Sequence, residues 1–145
     1  MGTQQILLIV LSVIIVGIAI AVGIAMFASQ AETANRQALM IDLTSFGASS
    51  MAFWRMPTSM GGASSTSFGA NIAAVRAGLG ISMGFASNGT FTNENGQYIL
   101  GRVSASVITI TGVGNELGAD EINQVQTRLT ISATDLSPLT TVIVN

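Results

Sequence analysis

Few residues in this chain are equipped for chemistry, so the first question is what those few could do. Asp120 and Glu121 are adjacent carboxylates within reach of a cation. Two neighbours are a thin ligand set beside the roughly six to eight oxygens that calcium takes. Asn88-Gly89-Thr90 matches the acceptor triplet for N-linked sugar. The Ser/Thr-rich stretch from Thr58 to Ser67 offers hydroxyls for O-linked sugar, or is a plain flexible loop. Phe27, Phe46, Phe53 and Trp54 suggest an aromatic path for electrons, although aromatic side chains at helical spacing read first as core or interface packing. Trp54 and Arg55 are consecutive, and consecutive residues do not face each other on a helix.

The missing residue types are more decisive. The chain has no Cys and no His. That removes thiolate and imidazole metal sites, iron–sulfur clusters, covalent haem attachment and the nucleophile systems built on those side chains. No pair of carboxylates is marked as lying in a cleft for acid–base work. No phosphate loop of the G-x-x-x-x-G-K-S/T type is present, so any nucleotide hydrolysis belongs to a partner. The expectation is a non-enzymatic chain with no cofactor.

Charge points the same way. Charged residues make up 8% of the 145 positions, against about 25% in an ordinary soluble domain. There is no Lys, and the five cations are Arg36, Arg55, Arg76, Arg102 and Arg128. A net charge of −2 without a basic cluster is no footprint for nucleic acid, which is bound through clustered Lys and Arg. So little charge endangers the solubility of a free monomer. The remedies are to place part of the chain in lipid or to bury it against other copies.

The elements that carry these residues begin with an uncharged run from Ile6 to Ala28. At about 1.5 Å per residue it is ~35 Å long, enough to cross a ~30 Å hydrocarbon core. A secretory signal is the competing reading, since Ala28-Ser29-Gln30-Ala31 has the small residues of a cleavage site. However, the apolar run exceeds the ~7–15 residues of a signal core, and no basic residue precedes Ile6. No Pro interrupts the chain from Ser29 to Met56, so the helix is expected to continue. Thr3 is placed to cap its start, and Pro57 to end it. Phe27, Ala31, Ala34, Ala38, Ile41, Ser45, Ala48 and Ala52 recur in steps of three and four. That spacing predicts one helical face ready to lie on a sheet, with Glu32, Asn35, Arg36, Gln37 and Asp42 on polar faces. Within the apolar half, Gly17, Ala21, Ala25 and Ala28 share a face, as do Ala19 and Gly23, the small-residue rows that let membrane helices approach closely.

Beyond Pro57 the stretch from Thr58 to Gly69 is Gly- and Ser-rich and reads as loop. Ala70 to Gly84 fits either a strand pair or a short helix. From Thr90 on, strand signals dominate: a turn at Asn93-Glu94-Asn95-Gly96 before Gln97 to Leu100, then a β-branched run from Val103 to Thr111. Val125, Thr127, Leu129, Ile131 and Ala133 alternate with polar residues. A turn at Asp135-Leu136-Ser137-Pro138 precedes a last strand from Leu139 to Val144. Short turns between sequential strands predict an antiparallel meander needing cover on one face. The expected fold is α+β: residues 1–28 an apolar helix, 29–56 its amphipathic continuation, 57–84 an αβ loop region, and 85–145 an antiparallel β head.

This plan resembles a type IV pilin or pseudopilin, on an uncharged helix reading ILLIVLSVIIVGIAIAVGIAMF, its amphipathic extension, a Gly/Ser-rich αβ loop and a C-terminal sheet. In that family a leader is cut after a Gly and a Glu stands fifth in the mature chain. Cutting after Gly2 would put Leu7 fifth, and without cutting Gln5 is fifth, so neither supplies a carboxylate. The resemblance implies single-pass subunits in the cytoplasmic membrane, extracted by assembly machinery with a separate ATPase into a surface filament. Its helical core would include Gln5, Ile6, Leu8, Ile9, Gly17, Ala21, Gly23, Ala25 and Phe27. The head lies outside on the same ground. A minor pilin or secretion pseudopilin, and a membrane-anchored β domain that never polymerises, are the alternative readings.

Overall fold

The computed structural model describes residues 2–144 apart from 71, 87, 119, 121 and 136–138. Glu121 and the 136–138 part of the expected last turn therefore lie outside the described residues. The fold is α+β. A helix α1 (Gly2–Arg55) leads through a 3-10 turn (Thr58–Met60) to a second helix α2 (Ile72–Met83) and five strands. These are β1 (Thr90–Asn93), β2 (Gly96–Arg102), β3 (Val107–Leu117), β4 (Gln124–Ser132) and β5 (Leu139–Ile143). They pair in chain order as one antiparallel sheet.

Helix α1 runs for 54 residues because nothing in it breaks the backbone ladder. It already includes Gly2, so Thr3 sits in the first turn rather than capping it. At the other end the orphaned carbonyls of the last turn are met by the returning chain. The amides of Ala63, Ser65 and Ser64 donate to the carbonyls of Phe53, Trp54 and Met56. Gly62 allows that return, since a Cβ there would lie 2.3 Å from the Met56 carbonyl oxygen.

The sheet follows its sequence pattern. Val125, Thr127, Leu129 and Ile131 on β4 are buried, as are Ile108 and Ile110 on β3 and Tyr98 and Leu100 on β2. Strand β3 begins at Val107, later than the β-branched run implied. Arg102 pairs with Ile108, so Val103 to Ser106 must form the connection, with the Val103 and Ser104 amides both donating to the Val107 carbonyl. The ambiguous stretch resolves as the helix α2, which buries Val75 and Leu79 one turn apart. It packs beside α1 over β2, where Gly78 lets the Phe53 ring approach.

The face of α1 that meets the sheet is opposite to the one the small-residue spacing selected. The buried residues are Leu39, Leu43, Gly47, Ser50, Phe53 and Trp54, with Phe46 packed against them. Ala31, Ala34, Ile41, Ser45, Ala48 and Ala52 are exposed, and Ile41 is 71% so. Both sets obey helical spacing, and the physical choice between them is size. Burying Leu, Phe and Trp removes far more apolar area from water than burying Ala and Ser. The stripe of large residues therefore takes the core and turns the small one outward.

Candidate functional site

Two surfaces of α1 stand out. The first is its N-terminal half. Every large apolar residue from Ile6 to Phe27 is between 49% and 75% exposed, and no described residue before Leu39 is buried. Among the described residues this is the one helix long and apolar enough to cross a membrane. Gln5, Ile6, Leu8, Ile9, Gly17, Ala21, Ala25 and Phe27 are all exposed on it, and Gly23 partly so. A Cβ at Gly17 or Gly23 would meet nothing within 4 Å. Thr3, Ile6, Leu7, Val10, Leu11 and Ile14 line a shallow apolar groove along one side.

The second is the outward face of the C-terminal half, which exposes small and polar residues but little charge. A surface helix of a soluble domain puts charge toward water and apolar residues toward the core. Here Glu32, Arg36 and Asp42 are only partly exposed, and the stripe from Phe27 to Ala52 carries no charge. Glu32 and Arg36 pair at 2.6 Å one turn apart. Glu32 also lines a crevice of about 460 Å³ with Ala25, Ala28, Ser29, Glu116, Leu117 and Gly118, where the lower rim of the sheet meets the helix.

Asp42 locks the helix to the first hairpin. Its Oδ2 accepts from the Tyr98 hydroxyl at 2.5 Å and from the Asn93 and Asn95 side-chain amides at 2.8 Å each. Asn93 in turn accepts from the amides of Asn95 and Gly96 across the two-residue turn, and the Asn35 side chain donates to the Asn95 carbonyl. Burial pushes the Asp42 carboxyl up, but the bonds from Asn95, Tyr98 and Asn93 together outweigh it and hold the group below its ordinary value of 3.8. Burial, followed by the facing carboxylate, pushes the Tyr98 phenol far above its ordinary range. The sequence marks Asp42 only as a polar-face residue of the helix. Its partners lie more than fifty positions away, and no local pattern marks them.

The remaining candidates separate. Phe46 packs edge-on against Phe85, Phe91 and Tyr98 with ring centroids 5.1–5.5 Å apart, and Trp54 packs on Phe68 at 4.7 Å. These rings are the head's core, and Phe27, 75% exposed far down the helix, is not among them. Asn88 is exposed, and its side-chain oxygen accepts from the Thr90 amide and hydroxyl. Among the described residues no group of His, Cys, Asp and Glu is arranged to hold a metal ion. Comparison with protein families, with curated proteins and with solved structures finds no match.

Proposed function

We propose that this chain is a structural, non-enzymatic subunit of a type IV pilus-like filament, which polymerises through α1. The observation that carries the reading is the uncharged outer surface of α1, unbroken from Ile6 to Ala52 on one continuous helix whose C-terminal half packs on the sheet. A membrane anchor needs about 20 apolar residues. Here the uncharged surface, with small and polar side chains such as Gln30, Thr33, Gln37 and Thr44 on it, continues for some six further turns at ~3.6 residues each, past any bilayer edge and along the back of the head.

Subunits wait as single-pass proteins in the cytoplasmic membrane. Separate assembly machinery, with its own ATPase, moves them into a filament at the cell surface, with helices inside and heads outside. Trading lipid for helix contacts is nearly neutral per unit area, so close packing and head contacts set the balance. In water, stripping an apolar helix of this size from its neighbours costs tens of kcal/mol at ~25 cal/mol per Å². A finished polymer therefore resists dissociation without disulfides.

Electron microscopy and mass spectrometry of material sheared from cells making the chain test this reading. Thin filaments whose main protein is this chain support it. The chain found only in the membrane fraction, with no filament, refutes it and leaves an anchored β domain.

A further inference from the structure

One hairpin of the head reaches down α1 to the apolar run. A Cβ at Gly112 on β3 would touch Leu39, and one at Gly114 would touch Asn35 and Leu39. Further along the strand, Leu117 and Gly118 line the crevice against Ala25, Ala28, Ser29 and Glu32. Strand β3 thus descends along α1, against its direction, to the last turn of the apolar run. The lengths agree. From Gly112 to Gly118 is ~20 Å of strand, and from Leu39 back to Ala28 is ~17 Å of helix. The β1–β2 turn stops higher, since the Asn115 side chain donates to the Glu94 carbonyl there.

The tip of the β3–β4 hairpin presents an apolar side chain. The Gly118 amide donates to the Asn123 carbonyl at 2.7 Å and closes the connection. The Asp120 carboxylate accepts from the Ile122 and Asn123 amides at 3.1 and 3.0 Å, and from the Asn123 side chain at 2.6 Å. These polar groups satisfy one another, and the Ile122 side chain is left outside. It is 80% exposed, more than any other large apolar residue among those described. Leu117, on the same hairpin, is 52% exposed. Single apolar residues on a surface are ordinary. These two stand beside the place where α1 leaves lipid.

The length of the span sets that place. With Ile6 at one boundary of a ~30 Å hydrocarbon core, the other boundary falls near Met26 at ~1.5 Å per residue. Ala28 and Ser29 then lie in the headgroup layer, and Leu117 and Gly118 lie there with them.

We infer that the β3–β4 tip is a second membrane contact, which dips into the headgroup layer beside α1 and sets Ile122 and Leu117 against the acyl boundary. The partner is the lipid surface itself, and the contact fixes how the head stands on the bilayer. This rests on the membrane stage of the filament reading and not on polymerisation. Surface elements with exposed apolar side chains enter this boundary by about 5–10 Å. Recognition is apolar. The hairpin from Asn115 to Gln124 has no cation, and its charges are Glu116, Asp120 and Glu121, so anionic headgroups do not attract it.

The chain has no Cys, so single cysteine labels have a clean background. The full chain, carrying a small fluorophore on one cysteine, is reconstituted in phosphatidylcholine vesicles that contain spin-labelled lipid as quencher. The positions are Val16→Cys in the span, Gln124→Cys at the foot of β4, and Val103→Cys in the β2–β3 connection at the other end of the sheet. Both head positions are exposed. Lipid labelled deep in its chain is expected to quench Val16→Cys. Lipid labelled near the headgroup is expected to quench Gln124→Cys about twofold and to leave Val103→Cys bright. Adding Ile122→Asp to Gln124→Cys is expected to remove most of that quenching, and added salt to leave it unchanged. The label stands beside Ile122 and not in its place, so it does not itself supply the apolar group. Ile122 is exposed, so the exchange should leave the fluorescence of Trp54 in the head's core unchanged. If Val16→Cys is quenched but Gln124→Cys no more than Val103→Cys, the tip contact is overturned and the membrane stage stands. Quenching at Gln124→Cys that survives Ile122→Asp, or that salt abolishes, overturns it equally. If Val16→Cys is not quenched, the chain does not span and both fall.

Discussion

Removal of the Asp42 carboxylate should loosen the join between α1 and the sheet, and the structure sets the size of the effect. Asp42→Ala leaves three donors without their acceptor. The Asn93 and Asn95 amides are partly exposed and can turn to water, so their loss is discounted. The Tyr98 hydroxyl belongs to a side chain with no exposed surface, and an unsatisfied buried donor costs about 1–3 kcal/mol. Together with the lost charge-assisted bonds the expected destabilisation is about 3 kcal/mol. For a head of this size that is roughly 12–24 °C in Tm. Tyr98→Phe removes one of the three bonds and is expected to cost about half as much. The assay is thermal unfolding of the full chain in detergent, followed by fluorescence of Trp54, the only tryptophan and a residue of the head's core. A pH series adds a second arm. The Asp42 carboxyl is held below 3.8 in the folded chain, so its contribution is complete above that value and is lost as pH falls through the folded value. The gap between the unsubstituted chain and Asp42→Ala should therefore be full at neutral pH and shrink in acid below 3.8. A shift under about 4 °C, equivalent to at most one kcal/mol, would refute the lock. So would a gap that does not change with pH.

Three further outcomes follow from particular contacts. Gly96→Ala should destabilise the head by roughly 2 kcal/mol or more in the same assay. At φ +157° a Cβ there would meet the Val113 carbonyl oxygen of the neighbouring strand, which cannot rotate away. Leu129→Ala, on β4 beneath α1 and 1% exposed, should cost about 2–5 kcal/mol by leaving a cavity there. Gly17→Arg should leave the head's unfolding temperature unchanged yet abolish filaments, because it sets an unpaired charge in the apolar helix. Normal filaments from that variant would remove α1 from the assembly core.

The chain's own sequence determined the long helix, since an uncharged run followed by a Pro-free continuation leaves the backbone no alternative. It also determined the strand phase wherever polar and apolar residues alternate, as from Val125 to Ile131. It did not determine which side of the helix would be inside. Two stripes with the same spacing compete on α1, and periodicity alone cannot rank them. Only the tertiary structure decided, because the sheet's apolar face needs large side chains to cover it. Leu39, Leu43, Phe46, Phe53 and Trp54 supply that bulk where Ala31, Ala34, Ala38 and Ala48 do not. The stretch from Ile72 to Met83 became helical for a similar reason: β2 lies beside the ground α1 covers and needs a second apolar surface over it. The Asp42 lock was likewise hidden, since a hydrogen bond between positions 42 and 98 exists only once the hairpin has folded back onto the helix. The candidate assembly face was thus written in the sequence as a row of small residues, but its outward direction, and with it its use, came from what the core had no room or need to bury.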